Sequence, residues 1–421
     1  MKVIINPSQL AFPHVTVPPS KSLAHRAVIC AALAKGVSRI DNIDYSVDIK
    51  ATLAAMEVLG AKVFYGEDFV LIEGIDSIQQ DHELHVDCQE SGSTLRFLIP
   101  LFSMCAKRTV FTGKGRLMQR PQSVYEQLFE NANSPLKRTD HQLVVEGSIR
   151  PGEIHLRGDV SSQFISGLMF ALPLCDQDSK LVIEGPFESR SYVDLTIEML
   201  KHFGISAEIK NREILIPGNQ KYCNADIRVE GDYSQLAFYA SLGVLKGPLF
   251  THGLTLDSKQ GDRAIVHMVK MMNGQVKEIE DGYCFDASDL KGAVLDLADC
   301  PDLGPALMMI ASFAEGETII IHAGRLRIKE SDRIQAMETE LKKCGVNIRS
   351  NEDTIWIEGN TQWQIQDALH GHNDHRIVMA MTIGAIASHQ TAVIEGAEAI
   401  SKSYPGFFDD VRKLGVDVHV E

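Results

Sequence analysis

The chain has 421 residues, more than one hydrophobic core ordinarily fills, so two domains are expected. Apolar residues make up 44% and charged residues 23%, as in a water-soluble globular protein, and no apolar run reaches the length of a membrane span. The formal net charge of -15 argues against a protein that wraps nucleic acid, and any anionic substrate must then be met by a local concentration of Lys and Arg.

The start, Met1 to Pro7, reads as a short strand stopped by Pro7 and has no long apolar stretch of the signal-peptide kind, so a cytoplasmic location is the expectation. The eight cysteines are scattered, with no C-x-x-C pair, which suggests neither a zinc site nor a disulfide framework. A period then becomes visible. A helix-like pattern ends at Leu59-Gly60 before the strand-like Ala61-Lys62-Val63-Phe64, and the same ending recurs at Phe203-Gly204, Asn273-Gly274, Cys344-Gly345 and Leu414-Gly415. Asn133, another residue that tolerates a left-handed helix cap, fills the one double interval. Six units of about 70 residues account for the chain. Each unit alternates strands and helices, which predicts an α/β protein. Crossings between two larger bodies are expected near Pro18-Pro19 and near Ile227-Arg228-Val229, with three units on each side.

Polar turns open the helices of these units, and the unusual residues sit there. Lys21 and Ser22 fall at a helix start, where backbone N–H groups favour anions, and Arg26 follows one turn later. Glu90-Ser91-Gly92-Ser93-Thr94-Leu95-Arg96 opens the second unit, and Gly92 admits close approach of a ligand to the backbone. The stretch from Gly113 to Pro121 carries Lys114, Arg116 and Arg120 at a helix entry, more cations than a solvated loop requires. Ser161-Ser162-Gln163 can cap a helix or hold a phosphate, and Ser189 and Tyr192 add donors at the next helix start. Asp232 reads as an N-cap. The fifth unit has Asp299-Cys300-Pro301-Asp302 and then Arg325 to Arg333, whose Lys329 and Arg333 would share a helix face, with Glu330 beside them. The sixth adds Asn373-Asp374-His375-Arg376 and Lys402. If the units pack pseudo-symmetrically, Lys21, Arg26, Arg96, Arg120, Lys329, Arg333, Arg376 and Lys402 converge on one cleft suited to phosphates and carboxylates. Neither a nucleotide-binding fingerprint nor metal-ligand spacing is seen.

Taken together, Pro19-Ser20-Lys21-Ser22 with Arg26, the Gly92 to Arg96 turn, Arg120-Pro121, Ser161-Ser162-Gln163, Lys329-Glu330-Ser331-Asp332-Arg333 and Asp374-His375-Arg376 resemble the 3-phosphoshikimate 1-carboxyvinyltransferases nearly end to end. The resemblance implies the two-domain enolpyruvyl transferase fold, an inside-out α/β barrel of six βαβαββ repeats, three per domain. Domains at 20–228 and at 1–19 plus 229–421 would close on substrate, the former mainly on the shikimate 3-phosphate side and the latter mainly on the phosphoenolpyruvate side. It implies transfer of the enolpyruvyl group of phosphoenolpyruvate to the 5-hydroxyl of shikimate 3-phosphate, in the pathway to chorismate. It also implies no cofactor, no metal, and a monomer whose partners are these two small molecules rather than nucleic acid or membrane.

By the same resemblance Lys21, Ser22, Arg26, Ser161, Ser162, Gln163, Ser189, Tyr192, Asp302 and Lys329 would contact shikimate 3-phosphate. Lys21, Gly92, Arg120, Gln163, Arg333, Arg376 and Lys402 would contact phosphoenolpyruvate. Asp302 would accept the hydroxyl proton, Glu330 would protonate the methylene carbon, and Lys21 would share in proton transfer. Glu90 stands where the family has Asn, Ser93 where Thr is usual and Arg325 where Asn is frequent. These changes bear on affinity and glyphosate sensitivity more than on the reaction. Two rivals are a UDP-N-acetylglucosamine enolpyruvyl transferase and a non-catalytic anion-binding relative. Against the first, the loop from Gly113 to Arg120 lacks the Cys or Asp typical of that family; against the second, Asp302 and Glu330 are intact.

Overall fold

A computed structural model describes residues 1–134, 136–359 and 362–421. The chain forms two compact units, Pro19–Val229 and Met1–Pro18 with Glu230–Glu421. Each has its own apolar core and, among the described residues, three four-stranded sheets.

One pattern serves all six sheets. In the fifth repeat Val294–Asp296 pairs parallel with Glu317–Ile321, which pairs antiparallel with Ile355–Glu358, which pairs antiparallel with Asn347–Ser350. Helices occupy the two crossovers and a hairpin ends the unit, so a repeat reads βαβαββ. The helices are, in chain order, α1 (Lys21–Leu33), α2 (Val47–Leu59), α3 (Gly92–Cys105), α4 (Ser123–Asn131), α5 (Ser162–Ala171), α6 (Arg190–His202), α7 (Tyr233–Lys246), α8 (Ala264–Met271), α9 (Gly304–Ala311), α10 (Arg333–Lys343), α11 (His375–Ser388) and α12 (Phe407–Lys413). Three sheets borrow a strand from far along the chain. Ile227–Arg228 leads the sheet of the first repeat, His14–Thr16 leads that of the fourth, and Lys2–Ile5 completes that of the sixth by pairing with Ala392–Glu395.

The first helix of each repeat is buried nearly all round. All residues of α1 from Ala24 to Leu33 are buried, as are all of α9 and those of α11 from His375 to Ala387. Their sequences are rich in Ala, Ile, Met and Val, which is what an all-round apolar helix requires. The second helices, such as α6 and α10, keep charged faces in water. Helices at the centre and sheets outside are the reverse of an ordinary α/β barrel. Among the described residues no helix is long and apolar enough to cross a membrane.

The repeat endings have one correction. Gly60, Asn133, Gly204, Gly345 and Gly415 all take a left-handed conformation, but in the fourth repeat Asn273 does so (φ 67°) and Gly274 does not. Gly274 is needed for space instead, since a Cβ there would come 2.8 Å from the Val269 carbonyl oxygen.

A titratable group is enclosed in this packing. His25 on α1 is fully buried, and burial, with Lys21 and Arg26 nearby, pushes its pKa well below the ordinary value. The unfolded chain binds a proton at this residue below about pH 6.5, whereas the folded chain binds one only at lower pH. Stability is therefore expected to fall with pH below that point, by about 1.4 kcal/mol per unit for this group. Unfolding midpoints of the parent and His25→Leu, compared between about pH 7 and pH 5, check this: the variant should show the flatter dependence. Equal slopes would mean that His25 is protonated in the fold.

Candidate active site

In the Pro19–Val229 unit the functional side chains sit on the first turns of the inner helices. Capping places them there: Ser91 Oγ accepts from Thr94 N at 3.1 Å and Ser161 Oγ from Gln163 N at 3.3 Å. Lys21, first residue of α1, donates through Nζ to Asp48 Oδ2 at 2.9 Å. Arg26 is 2% exposed. It donates to Thr196 Oγ1 (2.8 Å), the Ser22 carbonyl (2.6 Å) and the Tyr192 carbonyl (2.9 Å). Burial lowers its pKa to about 10, which leaves it charged at neutral pH. It thus ties α1 to α6, where Ser189, in a left-handed conformation (φ 52°), precedes the first turn that carries Tyr192.

Gln163 is fixed from two sides. Arg96 Nη1 donates to its Oε1 at 2.9 Å, and its Nε2 donates to Ser93 Oγ at 3.0 Å. Ser162 is buried beside it in the first turn of α5. Arg120 lies over Gly92: a Cβ at Gly92 would come 2.7 Å from Arg120 Nη1, so a larger residue there would push the guanidinium from this place. Glu90 lies against Gly115, whose positive φ of 55° and lack of a Cβ make room for the carboxylate. The sequence did not point to Asp48; Arg96, expected there among the converging cations, proves with Ser93 to clamp Gln163. The lone acidic residue in the first turn of α2 was the available signal for Asp48.

The other unit holds a dense ionic cluster. Asp302 Oδ1 accepts from Lys329 Nζ at 3.1 Å and from Arg333 Nη1 at 3.0 Å, and Asp302 Oδ2 accepts from Arg376 Nη2 at 3.1 Å. Arg333, whose side chain is 1% exposed, also donates to Glu330 Oε2 at 2.7 Å and through Nε to Asp374 Oδ2 at 2.8 Å. Asp374 caps α11 through Arg376 N at 3.0 Å and accepts from Ser331 Oγ at 3.1 Å. Arg376 reaches Ser234 Oγ at 2.9 Å, and Asp232 caps α7 as expected. Lys402 Nζ donates to the Asn373 carbonyl at 2.7 Å.

Lys329 and Arg333 meet at Asp302 by a route the sequence did not suggest. Gly324–Ile328 is a 3-10 turn, Lys329 is extended, and α10 begins only at Arg333. The two do not share a helical face; the break in the helix turns both inward. Asp374, quoted in the motif without a role, proves to be a buried counterion of Arg333. Arg325 donates to the Ala298 carbonyl.

The electrostatics follow from these contacts. Burial raises the pKa of Asp302, but Arg376, Lys329 and Arg333 outweigh it and hold the carboxyl well below the usual range. Burial lowers the pKa of Lys329 despite Asp302. For Arg333 burial acts downward, and Asp374, Glu330 and Asp302 together raise its pKa. Lys329, Arg333, Arg376 and Lys402 are thus concentrated in one place in an acidic chain, with Asp302, Glu330 and Asp374 between them.

A family model described as EPSP synthase (3-phosphoshikimate 1-carboxyvinyltransferase) matches residues 8–411. The chain belongs to the EPSP synthase family. A 3-phosphoshikimate 1-carboxyvinyltransferase of Clostridium kluyveri is 44% identical over 99% of this chain and 98% of its own length. One from Clostridium perfringens is 42% identical over 98% of each. The fold agrees with that of a solved EPSP synthase from Acinetobacter baumannii, with a TM-score of 0.79 and 24% identity over the whole of both chains. An enolpyruvyl transferase, NikO of Streptomyces tendae, shares the fold at a TM-score of 0.77 and 15% identity, covering 99% of this chain and 98% of its own. The mixed α/β architecture read from the sequence is thus that of the EPSP synthase and enolpyruvyl transferase structures.

Proposed function

We infer that the protein transfers the 1-carboxyvinyl group of phosphoenolpyruvate to the 5-hydroxyl of shikimate 3-phosphate, giving 5-enolpyruvylshikimate 3-phosphate and phosphate. Membership of the EPSP synthase family supports this over the UDP-N-acetylglucosamine transferase reading. The observation that carries it furthest is that one buried guanidinium, Arg333, binds both Asp302 and Glu330 amid further cations. Addition followed by elimination needs two such carboxyl groups.

In the addition, Glu330 gives a proton to the methylene carbon of phosphoenolpyruvate, and the neighbouring carbon becomes electrophilic. The 5-hydroxyl attacks that carbon while Asp302 takes its proton. In the elimination, the Glu330 carboxylate takes a proton from the new methyl group, the carbon–oxygen bond to phosphate breaks, the double bond re-forms, and the proton held by Asp302 leaves with the phosphate or to water. Asp302 in its resting contacts is a weak base, because three cations favour its ionised form. Anionic substrate groups that engage Lys329, Arg333 and Arg376 reduce that field and raise its proton affinity. Base strength then appears when substrate is present.

Lys21, Ser22, Arg26, Ser161, Ser162, Gln163, Ser189, Tyr192, Asp302 and Lys329 are proposed to contact shikimate 3-phosphate. Lys21, Gly92, Arg120, Gln163, Arg333, Arg376 and Lys402 are proposed to contact phosphoenolpyruvate, and Lys21 to share in proton transfer. The protein is further proposed to act as a cytoplasmic monomer, which sedimentation and cell fractionation would test. The primary experiment is phosphate release from phosphoenolpyruvate with shikimate 3-phosphate or with UDP-N-acetylglucosamine as acceptor. Release with the sugar nucleotide alone would reverse the reading.

Arg120 supplies a more local test. Its loss in Arg120→Ala should remove a charged hydrogen bond of about 1.5–3 kcal/mol, raising KM for phosphoenolpyruvate about ten- to hundredfold with much less effect on shikimate 3-phosphate. Equal weakening of both substrates would assign Arg120 to structure.

A further inference from the structure

Two rungs one helical turn apart join α1 to α2. The first is Lys21 to Asp48. Four residues on in each helix, His25 Nδ1 lies 2.8 Å from Thr52 Oγ1. A buried path continues to α3: Thr52 Oγ1 lies 2.7 Å from Thr94 Oγ1, and Thr94 Oγ1 donates to Ser91 Oγ at 2.7 Å. His25, Thr52, Thr94 and Ser91 are all 0% exposed. The donors follow in order. Thr94 spends its one hydroxyl proton on Ser91, so Thr52 donates to Thr94, and His25 must donate from Nδ1 to Thr52.

That tautomer leaves His25 Nε2 as an acceptor, and it is buried with no hydrogen-bond partner among the described residues. A ring edge of Phe97 faces the imidazole, with centroids 6.4 Å apart at 86°. An unpaired buried acceptor is a cost that an apolar side chain of similar size would avoid. Stability alone therefore gives no reason for a histidine here.

Each end of the path adjoins a group proposed above for phosphoenolpyruvate. Lys21 is one turn before His25 on α1. Gly92 follows Ser91 and lies under the Arg120 guanidinium. Lys21 is proposed for both substrates; the other shikimate 3-phosphate residues of α1 and α6 are tied separately, by Arg26 to Thr196, to the Tyr192 carbonyl and to the Ser22 carbonyl. We propose that His25 is a positioning residue for phosphoenolpyruvate: through Thr52, Thr94 and Ser91 it fixes the axial register of α1 against α2 and α3, and so the spacing of Lys21 from Gly92 and Arg120. This rests on the substrate assignment above. Cooperative polarisation along the hydroxyl chain stiffens that spacing.

The test compares the parent with His25→Leu and His25→Asn in steady-state assays varying each substrate, with unfolding midpoints at pH 7. His25→Leu should raise KM for phosphoenolpyruvate by about tenfold or more, change KM for shikimate 3-phosphate far less, and leave the midpoint unchanged or higher. His25→Asn, whose amide can donate where Nδ1 did, should recover most of the loss. Thr52→Val cuts the path at both of its bonds with little change of volume. It should give the same selective rise, and carries the test if His25→Leu does not fold. A parental KM for phosphoenolpyruvate in the folded variant, or an equal rise for both substrates that Asn does not restore, overturns the proposal. A parent with no activity on shikimate 3-phosphate overturns the substrate assignment instead, so the two failures are distinct.

Discussion

Glu330→Gln should bind both substrates and turn over about 10²- to 10⁴-fold more slowly, the range by which a positioned proton donor or acceptor accelerates a reaction. The amide keeps the size of the side chain, and its oxygen can still accept from Arg333 Nη2, which in the parent lies 2.7 Å from Glu330 Oε2. What it cannot do is give a proton to carbon and take one back. The measurement is kcat alongside equilibrium binding of each substrate. Parental turnover would move the donor role elsewhere. Lost binding with intact turnover at saturation would make Glu330 a substrate anchor.

Arg333→Ala should damage both stability and activity. Its guanidinium is bonded to Asp302, Glu330 and Asp374, and Asp374 is fully buried. Removing one partner of a buried pair leaves uncompensated charge and costs about 3–5 kcal/mol. The loss should appear as a lower unfolding transition of the unit containing residues 230–421, followed separately from the other unit because a two-unit chain need not unfold in one step. Arg333→Lys keeps the charge but not the planar fork, so it should recover part of the stability and little of the activity. An Arg333→Ala protein that unfolds like the parent would show that the three carboxylates find other partners or take up protons.

How far these features could be read in advance depends on their range along the chain. The six-fold period was visible because a helix end before a hairpin needs a left-handed residue, and Gly or Asn marks it each time. The division of labour between Asn273 and Gly274 was not visible, since steric pressure from Val269 exists only once α8 packs. The basic residues at the helix starts stood out by type. Their acidic partners did not: Asp48 is 27 residues from Lys21 and Asp374 is 41 from Arg333, and no local pattern links them. Lys329 and Arg333 were paired for a helical reason that the structure replaces with a break. Nothing local marks His25, because the hydroxyl it bonds, Thr52, lies on α2, and the next, Thr94, lies on α3.

The borrowed strands also fix an order of events during synthesis. Every partner needed by the Pro19–Val229 unit has emerged once Ile227–Arg228 is made, so that unit can complete early. Residues 2–5 must wait for Ala392–Glu395. At about 5–20 residues per second that interval is roughly 20–80 s. For that time the nascent amino end carries an apolar strand, Val3-Ile4-Ile5, without its neighbours, a state open to mispairing with other chains. Slow ribosomes or a missing sixth repeat would therefore endanger the strand Lys2–Ile5 before the Pro19–Val229 unit.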